Sequence, residues 1–361
     1  ILNFNIGNPI TVPITKYDNN FVDNLTINYG STTVKTVLGI VNGSTINFTT
    51  AELENIYTLM STLKNGTFSF VLNTYSGATW IGTTSVNSIG SIIDANPIFS
   101  ELNVSYEDTN NITFAVTQNR AHIVRNLSNL KVSVTSATGN KGAIITKYEL
   151  TFNGMVNELL TAGSVDYGVI NSSSNLTIQI KAIDSRGNFT TVIREVIILD
   201  WILPTAVINL NRVNNYEDTT YLKVNGNISS VNLKNSILNI KYKYKKVIES
   251  NYSSLINISN DTQYSLSFSK LFAWNIYVEI SDKFGSTSYV LTLAKGVPIM
   301  FIDTQKLSIG INCFPTKNNS LELNGKDILD YIYPIGSIYM SVNSNNPALL
   351  FGGNWVQLQD R

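Results

Sequence analysis

The sequence is short of the residues that carry most enzyme chemistry. It holds one cysteine, Cys313, and one histidine, His122, in 361 residues. A lone thiol excludes an internal disulfide and any multi-cysteine metal site. It says little about compartment, because secreted proteins also manage without disulfides. Nucleophilic Cys–His chemistry needs both groups within hydrogen-bond reach and a third group to orient them, and here the two fall in different segments. No glycine-rich phosphate loop and no His-x-x-x-His pair occurs. Charge is scarce too: 14% of residues are charged, 25 basic and 25 acidic. Such a balance gives no global field to recruit nucleic acid or an anionic membrane. The longest apolar runs, such as residues 196–199, are far too short to cross a bilayer. These absences argue against an enzyme, a cofactor, a nucleic-acid partner and membrane insertion.

What the chain does have is Tyr, Thr, Val, Ile and Asn, and a hydrophobic fraction of 43%. That composition favours strands joined by polar turns, with enough apolar surface for packed cores. The length allows two or three domains. Asn-x-Ser/Thr sequons begin at Asn24, Asn42, Asn47, Asn65, Asn126 and Asn188, among others. So much Asn, Ser and Thr generates them by chance, and they are read as composition.

Three hairpins punctuate the chain. Asp184-Ser185-Arg186-Gly187 separates the alternating run 176–182 from the β-branched run 189–199. Period-two runs flanking a short Gly-containing turn predict a β-hairpin. Asp bonds back to the local backbone, and Gly takes the positive φ that closes the loop. Asp282-Lys283-Phe284-Gly285 and Ser76-Gly77 repeat the device. Gly77, Gly187 and Gly285 are roughly one hundred residues apart, the size of an immunoglobulin-like sandwich. Pro97, Pro204 and Pro298 keep a similar period, and Tyr-Glu-Asp-Thr recurs at 106–109 and 216–219. Markers in register predict internal duplication.

The expected fold is all-β: tandem immunoglobulin-like β-sandwich modules followed by a thin oligomerising β segment. The expected divisions are 1–93, a sandwich with one helix; 94–200 and 201–297, immunoglobulin-like modules; 298–330, a short strand and helix shaft; and 331–361, a connector towards a further terminal domain. The start at Ile1 and the stop at Arg361 suggest a piece of something longer. Thr49 and Glu52 have capping-box spacing for the helix. Leu53, Ile56, Tyr57, Met60 and Leu63 then fall on one core-facing stripe, and Gly66 is the expected stop. A second short helix is expected at 326–332, capped by Asn324. A segment as thin as 298–330 cannot bury its own apolar face, so it is expected to pair with copies of itself.

The closing run Tyr333-Pro334-Ile335-Gly336-Ser337-Ile338-Tyr339-Met340-Ser341 carries a family resemblance, together with the Asp184–Gly187 hairpin and Gly142-Ala143-Ile144-Ile145-Thr146-Lys147-Tyr148. Asn73-Thr74-Tyr75-Ser76-Gly77, Ile309-Gly310-Ile311 and Leu321-Glu322-Leu323-Asn324-Gly325 extend it over nearly the whole chain. Their order and spacing resemble the minor structural (tail-fibre or baseplate) proteins of phages of Gram-positive bacteria. The resemblance implies a structural virion protein supporting host attachment, usually trimeric about a thin shaft, with no catalytic residues. Its partners would be copies of itself and other tail or baseplate proteins. The alternative is a receptor-binding adhesin whose partner is host cell-wall polysaccharide.

Few residues offer binding chemistry. Lys241, Lys243 and Lys245 alternate with Tyr242 and Tyr244, so a strand would present the lysines on one face. They read either as guards of an edge strand or as an anion-binding stripe for phosphate-bearing wall polymers. Trp80 and Trp355, with Tyr75 and Trp274, are candidates for stacking on sugars, although most aromatics in a β-protein pack across strands. Glu107-Asp108 and Glu217-Asp218 are chain neighbours, a poor arrangement for the opposed carboxylates of a glycosidase. They read as solvated turn residues or as calcium ligands at a module junction.

Overall fold

The computed structural model describes residues 3–358. Two compact units divide the chain, Ile1–Trp201 and Ile202–Arg361. The first opens with β1 (Phe4–Asn5), β2 (Ile10–Val12), β3 (Val22–Tyr29), β4 (Thr32–Val37), β5 (Ser44–Ile46), helix α1 (Thr50–Leu59) and the long hairpin β6 (Asn65–Ser76) and β7 (Thr79–Ser91). One sheet runs β1-β7-β6-β3-β4, and β2 pairs separately with β5. Residues from α1 (Ile56, Met60) and from the β2–β5 ribbon (Ile10, Val12, Ile46) cluster with Leu25, Ile27, Phe68 and Phe70 of the sheet. The first core therefore has a helix and a ribbon where the later modules have a second large sheet.

Helix α1 starts where its capping box directs. Thr49 Oγ1 accepts from the Glu52 N–H, and the Glu52 carboxylate accepts from the Thr49 N–H at 2.7 Å. Ile56 and Met60 are fully buried, whereas Leu63 lies beyond the helix and is half exposed. Gly66 is not the stop: it pairs with Gly90 inside the sheet, where a Cβ would stand 2.5 Å from the Tyr29 ring. Close packing, not helix termination, is the reason for that glycine.

The rest of the first unit is a sandwich. It comprises β8 (Val104–Asp108), α2 (Asn111–Thr117), β9 (His122–Val124), β10 (Asn129–Val134), β11 (Ile145–Phe152), β12 (Met155–Leu159), β13 (Gly163–Val169), β14 (Leu176–Asp184) and β15 (Phe189–Leu199). The sheet β13-β10-β8 lies against β12-β11-β14-β15-β9. Alternate residues of β14, Ile178, Ile180 and Ala182, are fully buried, as a strand with one covered face requires. Each isoleucine contributes about 1.5–3 kcal/mol relative to exposure. Pro97 does not head a strand here. Its neighbour Ile98 makes only an isolated bridge to Thr138.

The second unit repeats the plan. Strands β16 (Thr205–Arg212), β17 (Thr219–Asn227) and β20 (Gln263–Ser267) form one sheet; β18 (Ile237–Lys246), β19 (Ile256–Ile258), β21 (Trp274–Asp282) and β22 (Ser286–Leu293) form the other. The orders β16-β17-β20 and β19-β18-β21-β22 match β8-β10-β13 and β12-β11-β14-β15 strand for strand. Duplication of topology is thus clear, with Gly187 and Gly285 in corresponding hairpins. Gly77 joins strands of a differently ordered sheet, so it shares only the turn chemistry. The Tyr-Glu-Asp-Thr copies differ as well: Tyr106 to Asp108 close β8, while Tyr216 to Asp218 precede β17.

Beyond the sandwich come β23 (Met300–Asp303), β24 (Ser308–Ile311), β25 (Leu321–Leu323), β26 (Lys326–Asp327), α3 (Ile328–Ile332) and α4 (Ala348–Phe351). Asp327 caps α3, not Asn324, which turns the chain at φ 53° between β25 and β26. The three hydrophobic clusters share no residue.

Candidate functional site

The Asp184–Gly187 turn is built to hold an arginine. Asp184 Oδ1 accepts from the N–H groups of Arg186 at 2.9 Å and Asn188 at 2.8 Å, and Gly187 takes φ 75°. The turn delivers Arg186, 6% exposed, to the C-terminal end of α1. Its Nε donates to the Met60 carbonyl at 2.9 Å and Nη2 to that of Tyr57 at 3.2 Å. Nη1 donates to Asn140 O at 3.1 Å, and Nη2 also to Lys141 O. The last carbonyls of a helix lack partners within it and carry partial negative charge, so a guanidinium answers both needs. Burial lowers the Arg186 pKa, with the Asp184 carboxylate acting in the opposite direction. Ser185 Oγ adds a bond to Ser61 O at 2.5 Å. Gly142 completes the contact: at φ 77° its missing Cβ would sit 2.7 Å from Tyr57 O. The first and second cores are thereby fastened through one buried cation.

A second arginine socket lies in the third sandwich. Arg212, 4% exposed, donates to the carbonyls of Ala294, Glu217, Phe268, Ser269 and Phe272 at 2.6–3.3 Å. Asp218 Oδ1 accepts from the Lys270 N–H at 2.6 Å, and Glu217 Oε1 from Asn214 at 2.6 Å. Beside the socket Tyr216 meets the rings of Phe301 and Phe314 edge-on, with centroids 6.3 and 6.0 Å away. This pair of acidic residues therefore frames an arginine and the start of the 298–325 segment.

Glu107 and Asp108 part company because neighbours on a strand face opposite ways. Asp108 is fully buried and accepts from the Asn110 and Asn129 N–H groups and the Thr113 and Ser128 hydroxyls. Glu107 stands outside, 3.8 Å from Lys131. Among the described residues no three acidic, His or Cys side chains converge as metal ligands.

The lysine stripe lies on β18, which pairs with β21 along its length, whereas β19 pairs only with Ile240, Lys241 and Tyr242. The side of β18 beside Lys243 and Lys245 therefore has no ladder partner among the described strands. Lys241 stands opposite Glu279. Lys243 Nζ lies 4.5 Å from the Tyr277 ring centroid and 5.0 Å from that of Tyr252; Lys245 Nζ is 5.1 Å from Tyr252. Lysines over aromatic faces form a cation–π row. Of the tryptophans, Trp274 packs against the third core with Tyr244 and Phe268. Trp355 joins Tyr333, Tyr339 and Phe351 in an aromatic cluster. Trp80 is 59% exposed, its Nε1 donating to Thr83 Oγ1 at 3.3 Å. Cys313 and His122 belong to different units.

The two arginine sockets were not visible in the sequence. Both depend on carbonyls brought together from distant segments, for which a lone Arg in a turn or at a strand end gives no local sign. The flanking Asp184 and Gly187 mark the turn but not what it grips.

Comparison with known proteins adds the family. Residues 2–325 match the family described as "Siphovirus protein of unknown function" (DUF859), and residues 328–361 match "Baseplate structural protein Gp10, C-terminal domain". No curated protein matches the chain. Solved structures similar to it include three N-terminal domains of the highly immunogenic outer capsid protein (Hoc) of bacteriophage RB49. That match is 11% identical over 81% of this chain and 93% of that one, with TM-score 0.27. Domains 3–5 of Drosophila OTK match at 12% identity, 81% and 93% coverage and TM-score 0.23. Fibronectin(III)-like modules of Clostridium thermocellum CbhA match at 12%, 48% and 88%, and 0.22. Scores this low carry no argument, and the fold rests on the strand orders above. The chain belongs to the siphovirus family of its first 325 residues, and with its baseplate-type C-terminal segment it is a structural component of the phage virion tail that associates with other tail or baseplate proteins.

Proposed function

We propose that the chain is a supporting element of a tail fibre or baseplate appendage, positioning the machinery of host attachment. The divisions 1–93, 94–200 and 201–297 would be its successive modules. The observation that supports this most directly is the Arg186 socket. A buried cation with four carbonyl partners fixes one core against the next, and the groups involved are placed for rigidity rather than reaction. Self-association belongs to the same reading. Met300, Ile302, Ile309, Ile311 and Leu321 expose apolar surface on a four-stranded sheet, and such a surface is covered by partners. The mass of the purified species in solution tests it: three times the 39.9 kDa chain mass is expected, and a monomer at micromolar concentration refutes it.

A second reading, an adhesin for anionic wall polymer, is favoured by the Lys243–Tyr252–Tyr277 row. Replacing Lys241, Lys243 and Lys245 with Ser is then expected to reduce adsorption of the chain to host cell walls. Unchanged adsorption refutes it.

A further inference from the structure

We propose that a cleft in the first module, between residues 14–21 and the end of the sheet β3-β6-β7, binds a neutral hexose unit of a glycan. The cleft has a volume of about 380 Å³, within the roughly 300–1,000 Å³ typical of small-molecule sites. Its floor is a row of three paired positions, Asp23 on β3, Thr74 on β6 and Gly82 on β7. Residues directly opposite on antiparallel strands share a face, so the row presents a carboxylate, a hydroxyl and bare backbone side by side.

Asp23 is 3% exposed. Its Oδ1 accepts from Thr74 Oγ1 at 2.6 Å, and its Oδ2 lies 3.4 Å from Lys16 Nζ. Lys16 Nζ in turn donates to Phe21 O at 2.7 Å. A carboxylate has about four acceptor sites, so capacity remains for incoming hydroxyls. Both ionic groups are held in place before any ligand arrives, which lowers the ordering cost of binding.

The ligand class follows from the charge and the walls. Lys16 and Asp23 neutralise each other, which gives no advantage to a strongly charged ligand. Ile14 and Leu72 supply apolar wall, and Tyr17 stands at the cleft 99% exposed. Fixed acceptors and donors, an apolar wall and a free aromatic ring match a ring compound with hydroxyls at its edge and C–H groups on its face. Gly82 is the key position. A Cβ there would meet nothing within 4 Å, and the backbone is not in the left-handed region. Its missing side chain is space in the cleft.

This inference deepens the host-attachment reading by naming a ligand class, and it rests on that reading for its biological meaning. Its test uses the full chain with glucose, galactose, rhamnose and N-acetylglucosamine and their short oligosaccharides, followed by saturation-transfer NMR and calorimetry. At least one neutral sugar is expected to bind, with affinity falling at least tenfold in Gly82→Val and in Asp23→Asn. Gly82→Val fills the cleft while suiting a strand, so its melting temperature should not fall. The Lys241, Lys243 and Lys245 to Ser variant should bind as the unaltered chain does. Absence of binding by every sugar, or undiminished binding by Gly82→Val, overturns the proposal. Binding of glycerol 3-phosphate alone also overturns it. Solution mass, measured on the same samples, reports the assembly reading independently.

Discussion

Replacing Arg186 with Ala tests the mechanical reading at its centre. The substitution removes the donors to Met60, Tyr57, Asn140 and Lys141 carbonyls. The turn itself should survive, because Asp184 grips the backbone N–H groups of residues 186 and 188, not the side chain. Leaving a buried acceptor unpaired costs about 1–3 kcal/mol. Water reaching part of the opened socket offsets some of this, so a total of about 3 kcal/mol is expected, well short of the four-fold sum. For a folding unit of 150–250 residues, that loss lowers Tm by about 6–12 °C. The lost bonds run from the turn at Arg186 to the end of α1 and to residues 140 and 141 of the same sandwich, so the two modules should uncouple and one calorimetric transition should split into two. Arg186→Lys should recover only part, since an ammonium keeps the charge but lacks the planar fork. Differential scanning calorimetry with hydrogen exchange over residues 50–64 gives the answer. A single transition at the original temperature would mean that Arg186 fastens nothing.

Other outcomes follow from the same geometry. Thr49→Ala should cost about 1 kcal/mol by removing the cap of α1, read as a lower Tm of the first module. Glu322 is fully buried. Burial acts to raise its pKa, but the Lys317 and Thr316 N–H groups outweigh it, leaving the carboxyl below its ordinary 4.5. A depressed folded pKa contributes stability that is complete above about 4.5 and lost as pH falls through the folded value. The 298–327 segment should therefore loosen below that pH, and Glu322→Gln should flatten the dependence in acid titrations followed by hydrogen exchange. Chelator should leave the melting temperature unchanged, since Asp108 already accepts from four internal donors; a fall on adding EDTA would reinstate calcium.

Periodicity and turn chemistry alone determined the strands, because a strand with one covered face must alternate and a tight hairpin needs Asp or Gly at set places. The runs around Gly187 and Gly285 are of this kind, as are the capping box of α1 and the all-β class. Helix α2 escaped notice because Ile112, Thr113, Phe114, Val116 and Thr117 favour strands; the Asn110 cap and the bond from Thr113 to the buried Asp108 hold it helical. Gly66 reads locally as a helix stop, yet the approach of Tyr29 and Met60 sets its role. Only the tertiary structure decided the grip of Arg186 and Arg212, the divergence of Glu107 from Asp108, and the row of Asp23, Thr74 and Gly82. Each joins residues far apart in the chain, and local propensity carries no record of what a folded chain brings together.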